Sequence, residues 1–217
     1  MPFQLTVLRH SCKESMDIKD SLSSGISKQG EIKAKTMGTL FKNQFGKIKK
    51  VNSAHSLRCI ETSHCFIETY NPHINVIPDP NIYGTISLGS FIKKNKINDF
   101  MNYLIDKGFD YYGYDKYNEL FYDLYKKGIS KFKDTYYYYE IFSEKYLNNE
   151  NNLIITNGTN IGAILTTLSL MYSFKYNPRI LWPKYLSGIS LIYDKEKEIE
   201  EIKFISFFKN YEDFSLL

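Results

Sequence analysis

The sequence predicts a three-layer α/β fold, a mainly parallel sheet with helices on both faces, and three observations point to it. Short runs suited to strands recur at Gln4–Leu8, near Ile48–Ser53 and at Leu153–Thr156, the first and the last of them apolar. Each is followed by a stretch in which apolar residues return at helical spacing, the alternation that builds parallel sheets through right-handed crossovers. The length of 217 residues suits one domain, 1–217, with an elaborated insertion, better than two.

The first run, Gln4–Leu8, ends at Arg9-His10, the carboxyl end of a strand, where α/β proteins carry their chemistry. After a loop, Ser27 is a plausible N-cap for a helix whose buried face holds Ala34, Met37, Gly38, Phe41 and Phe45. The second strand precedes a helix in which Leu57, Ile60, His64 and Ile67 recur on one face and Arg58, Glu61, Thr62 and Cys65 on another. On that spacing His64 is expected to be packed. Val76-Ile77-Pro78 is a brief extended piece.

A Tyr- and Lys-rich insertion fills about 85–151, with helical stretches expected at Lys96–Lys107, Tyr117–Lys133 and Tyr137–Leu147. The strand Leu153–Thr156 then turns through Asn157-Gly158-Thr159-Asn160 into a helix carrying Ile161, Ile164, Leu165, Leu168, Met171 and Tyr172 on one side. Leu186–Tyr193 and Ile199–Phe208 flank the charged segment 194–198 and read as a terminal hairpin or a pair of edge strands.

Composition excludes several function classes. The formal charge of +4 comes from 28 basic and 24 acidic residues dispersed along the chain, without the basic block of a nucleic-acid-binding arm, so no nucleic-acid partner is expected. The apolar part of the longest uncharged run, Ile161–Phe174, has Thr, Ser and Asn neighbours and is shorter than the roughly 20 apolar residues of a membrane span. The N-terminal segment lacks the pattern of a secretory signal, so a cytoplasmic location is expected. Cys12, Cys59 and Cys65 are odd in number and show no CxxC spacing, which predicts free thiols. With His73 distant from any Cys/His cluster, neither a metal site nor a cofactor is expected. Oligomeric state is left open.

Three strand-to-loop transitions bring polar residues to one end of the predicted sheet: Arg9-His10-Ser11-Cys12-Lys13, the stretch from Asn52 through Arg58 to Thr62, and Thr156-Asn157-Gly158-Thr159-Asn160. A neutral imidazole can attack phosphorus in line and divide one hard displacement into two easier ones, and His10 has the position for it. Charge spread over phosphoryl oxygens calls for preorganised cations, and the planar fork of Arg can hold two oxygens at once. Arg9 and Arg58 suit that role, with Lys13 as a third positive charge. If instead the motifs are incidental, Arg9 and Arg58 are surface cations and His10 is a satisfied loop histidine.

In this order the motifs resemble the histidine phosphatase, or phosphoglycerate mutase-like, superfamily: an Arg-His pair after strand one, a Ser-containing loop leading to Arg-x-x-x-Thr, and a late strand ending in a His-Gly or His-Asp turn. The resemblance spans most of the chain outside the insertion. It implies a phosphoglycerate mutase-like fold, a phospho-His10 intermediate, and a phosphorylated small molecule or phosphoprotein as partner. Two departures stand against full activity. Asn157 occupies the position of the second catalytic histidine; its amide can donate to a phosphate oxygen but cannot become a cation. Where other branches carry an acidic Glu, this chain has Asp79-Pro80-Asn81-Ile82-Tyr83-Gly84, with Asp79 the one carboxylate available as leaving-group acid or as a turn residue.

Losing one preorganised donor costs about 10²–10³ in rate and losing general acid catalysis about 10²–10⁴. The expected function is therefore phospho-ligand binding at Arg9, Lys13, Arg58 and Asn157 with phosphoryl transfer through His10 impaired or lost. One alternative is an active phosphomonoesterase that recruits His55 or Asp79; Glu14 and Glu61 are weaker candidates for the acid. Another is a non-catalytic nucleotide-binding or protein-interaction module using Gly158 at a helix start, for which GxGxxG and P-loop patterns are missing.

Overall fold

A computed structural model of the chain describes residues 2–13, 24–45, 47–80, 82, 139–140, 142–171 and 185–206. The helices expected at Lys96–Lys107 and Tyr117–Lys133, and Glu14 and Tyr172, lie outside the described residues. Near the end of the insertion, 139–140 and 142–146 are helical.

The central strand β1 (Phe3–Arg9) and its parallel neighbour β4 (Asn152–Thr156) are buried almost throughout, as near-continuous apolar runs in a covered sheet must be. β2 (Lys50–Ala54) pairs in parallel with β4 on one side and with β3 (Val76–Asp79) on the other. β5 (Ser187–Tyr193) runs antiparallel to β1, and β6 (Ile199–Ser206) antiparallel to β5, giving the order β3-β2-β4-β1-β5-β6. The three-layer α/β architecture expected from the sequence is present. The terminal strands do form a hairpin, closed by a turn with Lys197 at φ 68 and Glu198 N–H on Asp194 Oδ1 at 2.9 Å. Of the hairpin's two strands β6 lies at a sheet edge, opposite β3, whereas β5 is enclosed between β1 and β6.

Helix α1 (Lys28–Gln44) starts where Ser27 accepts the Gly30 N–H at 3.0 Å, the N-cap bond that satisfies one orphan donor. It buries Ala34, Met37 and Phe41. Helix α2 (Leu57–Tyr70) comes from the next crossover, which steps the same way across the sheet, so the two helices lie side by side on one face. Their approach is close at Gly38, where a Cβ would overlap the Phe66 carbonyl and Thr69 Oγ1. Phe41, Phe66 and Tyr70 fill the seam, with Phe41 edge-on to both others at centroid distances of 5.5 and 5.8 Å. Helix α3 (Gly158–Met171) follows β4, steps over β1 toward β5, and buries Ile161, Ile164, Leu165 and Leu168.

The buried face of α2 differs from the one its apolar spacing suggests. Arg58, Cys59, Thr62, Ser63, Phe66 and Tyr70 face inward, whereas Leu57 and His64 are exposed. His64 is thus not a packed histidine. The inversion is affordable because the inward hydroxyls are satisfied within the helix: Thr62 Oγ1 donates to Arg58 O at 2.6 Å and Ser63 Oγ to Cys59 O at 2.8 Å.

Candidate active site

Because β1, β2 and β4 are parallel neighbours, their carboxyl ends lie at one end of the sheet, and the register sets Arg9 beside Thr156. The chain leaves β1 toward β2 and leaves β4 toward β5, in opposite directions, which opens a crevice between the two strand ends. His10, Arg58 and Asn157 meet there.

His10 is 2% exposed, and its Nδ1 lies 2.7 Å from the Ser11 carbonyl. A carbonyl only accepts, so these partners assign the proton to Nδ1 and leave a lone pair on Nε2. Arg58 Nε–H donates to that Nε2 at 3.1 Å, and Arg58 Nη2 donates to Asn157 Oδ1 at 2.6 Å. Burial, then the charges of Arg58, Arg9 and Lys13, hold the imidazole neutral to well below its ordinary range, against a smaller opposing effect of the Ser11 carbonyl. A neutral ring is the form a nucleophilic histidine requires.

Arg9 is nearly buried, with its guanidinium 4.3 Å from the centre of the Tyr185 ring. The same ring lies 5.5 Å from that of His10. Tyr185 is delivered by Leu186, whose backbone sits in the left-handed region at φ 58 and donates its N–H to Arg9 O at 3.1 Å. Lys13 is half-buried in a short antiparallel bridge with Ile26 and contributes to the positive field on His10.

The loop after β1 is tied to α2 and α1 by named bonds. Ser11 N–H donates to Thr62 Oγ1 at 3.0 Å, Ser11 Oγ donates to Gly30 O at 2.7 Å, and Ser27 N–H donates to Cys12 O at 2.9 Å. Glu61, weighed above as an acid, accepts the Ile26 N–H at 2.7 Å and so fastens the same loop. Thr62 and Tyr185 escaped sequence reasoning as site residues. Thr62 carried a signal, the Thr of Arg-x-x-x-Thr, whereas one Tyr among 19 carries none.

Asp79 is buried at the end of β3, level with Ala54, and accepts from Tyr146 Oη at 2.5 Å while ion-paired with Lys145. Asn160, in the first turn of α3, donates from Nδ2 to Thr156 Oγ1 at 2.7 Å and to the Ile82 carbonyl, fastening the segment after β3 to the crevice. His55 is exposed on the loop after β2, and His73 is exposed beyond α2. The three cysteines are free, and burial pushes the Cys59 thiol up to about 11, so it is no thiolate nucleophile at neutral pH. Among the described residues no three His, Cys, Asp or Glu side chains gather to hold a metal ion, and no helix is long and apolar enough to cross a membrane.

No protein-family model and no curated protein sequence matches the chain. Solved structures do. A phosphoglycerate mutase from Bacillus anthracis str. Sterne superposes with a TM-score of 0.60 at 14% identity, covering 94% of this chain and 92% of its own. The structure titled mycobacterial hydrolase 2 gives 0.55 at 12% identity, covering 95% and 91%. Phosphoserine phosphatase from Entamoeba histolytica, in complex with 3-phosphoglyceric acid, gives 0.51 at 12% identity, covering 94% and 97%. At such identities the likeness is one of fold, and the chain has the α/β fold of phosphoglycerate mutase-like proteins.

Proposed function

We propose that this chain is a member of the histidine phosphatase superfamily that binds a phosphorylated small molecule or phosphoprotein in the crevice, with phosphoryl transfer through His10 impaired or lost. The observation that carries the reading is the meeting of a neutral, buried His10 with Arg58 and Asn157 at the ends of strands whose fold is shared with a phosphoglycerate mutase and a phosphoserine phosphatase. Arg9, Arg58 and Lys13 supply positive charge for phosphoryl oxygens, and Asn157 has an amide donor to add. In-line attack by His10 would leave an alkoxide to be protonated, and among the described residues no acid is placed against it. Asp79 is held by Tyr146 and Lys145, and His55 is exposed, which supports impaired turnover over a recruited acid. A cytoplasmic location belongs to the same reading.

The test is anion binding followed by turnover. Phosphate or vanadate should raise the melting temperature; at about 100 times the dissociation constant the gain is about 2.7 kcal/mol. Arg58→Ala should remove the gain. Unchanged melting of the native chain at tens of millimolar phosphate would overturn the binding site. Asn157→His should raise hydrolysis of an aryl phosphate, whose leaving group needs little acid, and His10→Ala should abolish it in either background. Native turnover of an alkyl phosphate within the ordinary enzyme range of about 1–10³ per second would refute the impairment.

A further inference from the structure

Arg58 Nε–H and Nη2–H lie on the same edge of the guanidinium and point in parallel, the pair of donors with which arginine grips two oxygens of one oxyanion. Both are engaged inside the protein. One is on His10 Nε2 at 3.1 Å and the other on Asn157 Oδ1 at 2.6 Å, so an imidazole nitrogen and a carboxamide oxygen stand where two phosphoryl oxygens would stand. The guanidinium has donors only, which assigns the oxygen of Asn157, not its nitrogen, to this contact.

We propose that Asn157 is a positioning residue that latches Arg58 over the lone pair of His10, so that the nucleophile is capped until an oxyanion takes both Arg58 donors. The proposal deepens the reading of the crevice as a phosphate site, since it names what holds that site shut. It also gives position 157 a chemistry that a charged imidazole lacks. An imidazolium has no acceptor to offer Arg58 and would repel it, whereas the amide oxygen accepts at any pH at which the chain folds. His10 stays neutral under the cap because burial and the charges of Arg58, Arg9 and Lys13 all disfavour a second proton, outweighing the Ser11 carbonyl, whose part is to hold the one proton on Nδ1 and leave Nε2 bare.

The test reads the reactivity of His10 Nε2 with no phosphate present. The whole chain is treated with diethyl pyrocarbonate near pH 7, and modification of each histidine is followed by peptide mass spectrometry, with exposed His55, His64 and His73 as internal references. Native His10 should react far more slowly than those three. Asn157→Leu keeps the size of the side chain and removes the acceptor, and it should speed His10 modification about 10- to 100-fold, the span expected for losing a charge-assisted hydrogen bond. Asn157→Asp keeps an acceptor of the same shape and should leave His10 at the native rate or slower. Equal rates in the native and Leu variants, or a faster rate in the Asp variant, overturns the latch. Should Asn157→Leu fail to fold, the long-range proton–nitrogen NMR spectrum of the native chain decides: a His10 tautomer protonated at Nε2 rules the latch out, and a hydrogen-bonded, unprotonated Nε2 that shifts on adding inorganic phosphate supports it. Failure of phosphate to bind at all would fell the proposed function and leave the rate comparison intact.

Discussion

Thr62→Val isolates the bond that joins the first motif to the second. Thr62 is fully buried; its Oγ1 accepts the Ser11 N–H at 3.0 Å and donates to Arg58 O at 2.6 Å. Valine has the same shape and β-branching, so packing and helix propensity change little. The Arg58 carbonyl retains its main-chain partner one turn on. Ser11 N–H, by contrast, loses its acceptor in a fully buried site, and a buried unsatisfied donor costs about 1–3 kcal/mol. For a chain of 217 residues each kcal/mol shifts the melting temperature by about 2–4 °C, so a loss of about 2 kcal/mol predicts a fall of about 4–8 °C.

The functional consequence follows from position. Ser11 adjoins His10 and its carbonyl holds His10 Nδ1, so slackening Ser11 also slackens the imidazole. Phosphate should then stabilise the variant less than the native chain. Ser63→Ala is the control, since Ser63 Oγ donates only within its own helix, to Cys59 O. It should cost about 1 kcal/mol or less and leave the phosphate effect intact. Differential scanning fluorimetry of the three proteins, with and without phosphate, makes the comparison. A Thr62→Val protein that melts with the native chain and responds equally to phosphate would refute the claim that this hydroxyl couples the two motifs.

Stability should fall with acid through His10: its unfolded form takes up a proton near pH 6.5, while burial and then Arg58, Arg9 and Lys13 keep the native imidazole neutral to well below that value. The folded pKa is the lower one, so the stabilisation is complete above about pH 6.5 and is lost as pH falls toward the native value, by at most about 1.4 kcal/mol per pH unit. His10→Gln should flatten that slope in denaturant melts between pH 7 and 5; an identical slope would show that His10 does not titrate as described. Gly188→Ala should destabilise by about 3 kcal/mol, because a Cβ there would overlap the Val7 carbonyl across the β1–β5 pair, and backbone cannot yield as a side chain can. Chemical denaturation gives the value, and a loss below about 1 kcal/mol would mean that β5 shifts freely against β1.

What the sequence made legible follows from where the physical signal is local. β1 and β4 announce themselves as apolar runs, and α1 by the Ser27 cap and the Ala34–Met37–Phe41 spacing, because each depends on residues a few positions apart. The insertion of β4 between β2 and β1 rests on pairings between strands far apart in the chain, Lys50 with Asn152 and Leu5 with Asn152, and nothing in any of these strands encodes it. The inner face of α2 was hidden for a different reason. Helical periodicity assumes that apolar residues face inward, and α2 instead turns Arg58, Thr62 and Ser63 inward, with two of the three answering their own helix carbonyls. A helix that serves a polar site inverts the signal used to orient it.

The same limit governs the site. Arg9, His10 and Arg58 were readable because each lies at a strand end or within a few residues after one, and parallel strands share one end. Tyr185 was not, since its approach to Arg9 and His10 depends on the left-handed turn at Leu186 and on a strand paired from the far end of the chain. Asn157 lies between these cases. Its residue type invites the reading of a donor that stands in for a lost imidazole. Its partner, visible only once β2, β4 and α2 are assembled, is a guanidinium that can only donate, and therefore draws on the amide oxygen. On the function proposed above, Asn157 brings an acceptor to the crevice where an imidazolium would bring a cation, and Arg58 Nη2 is the donor that meets it.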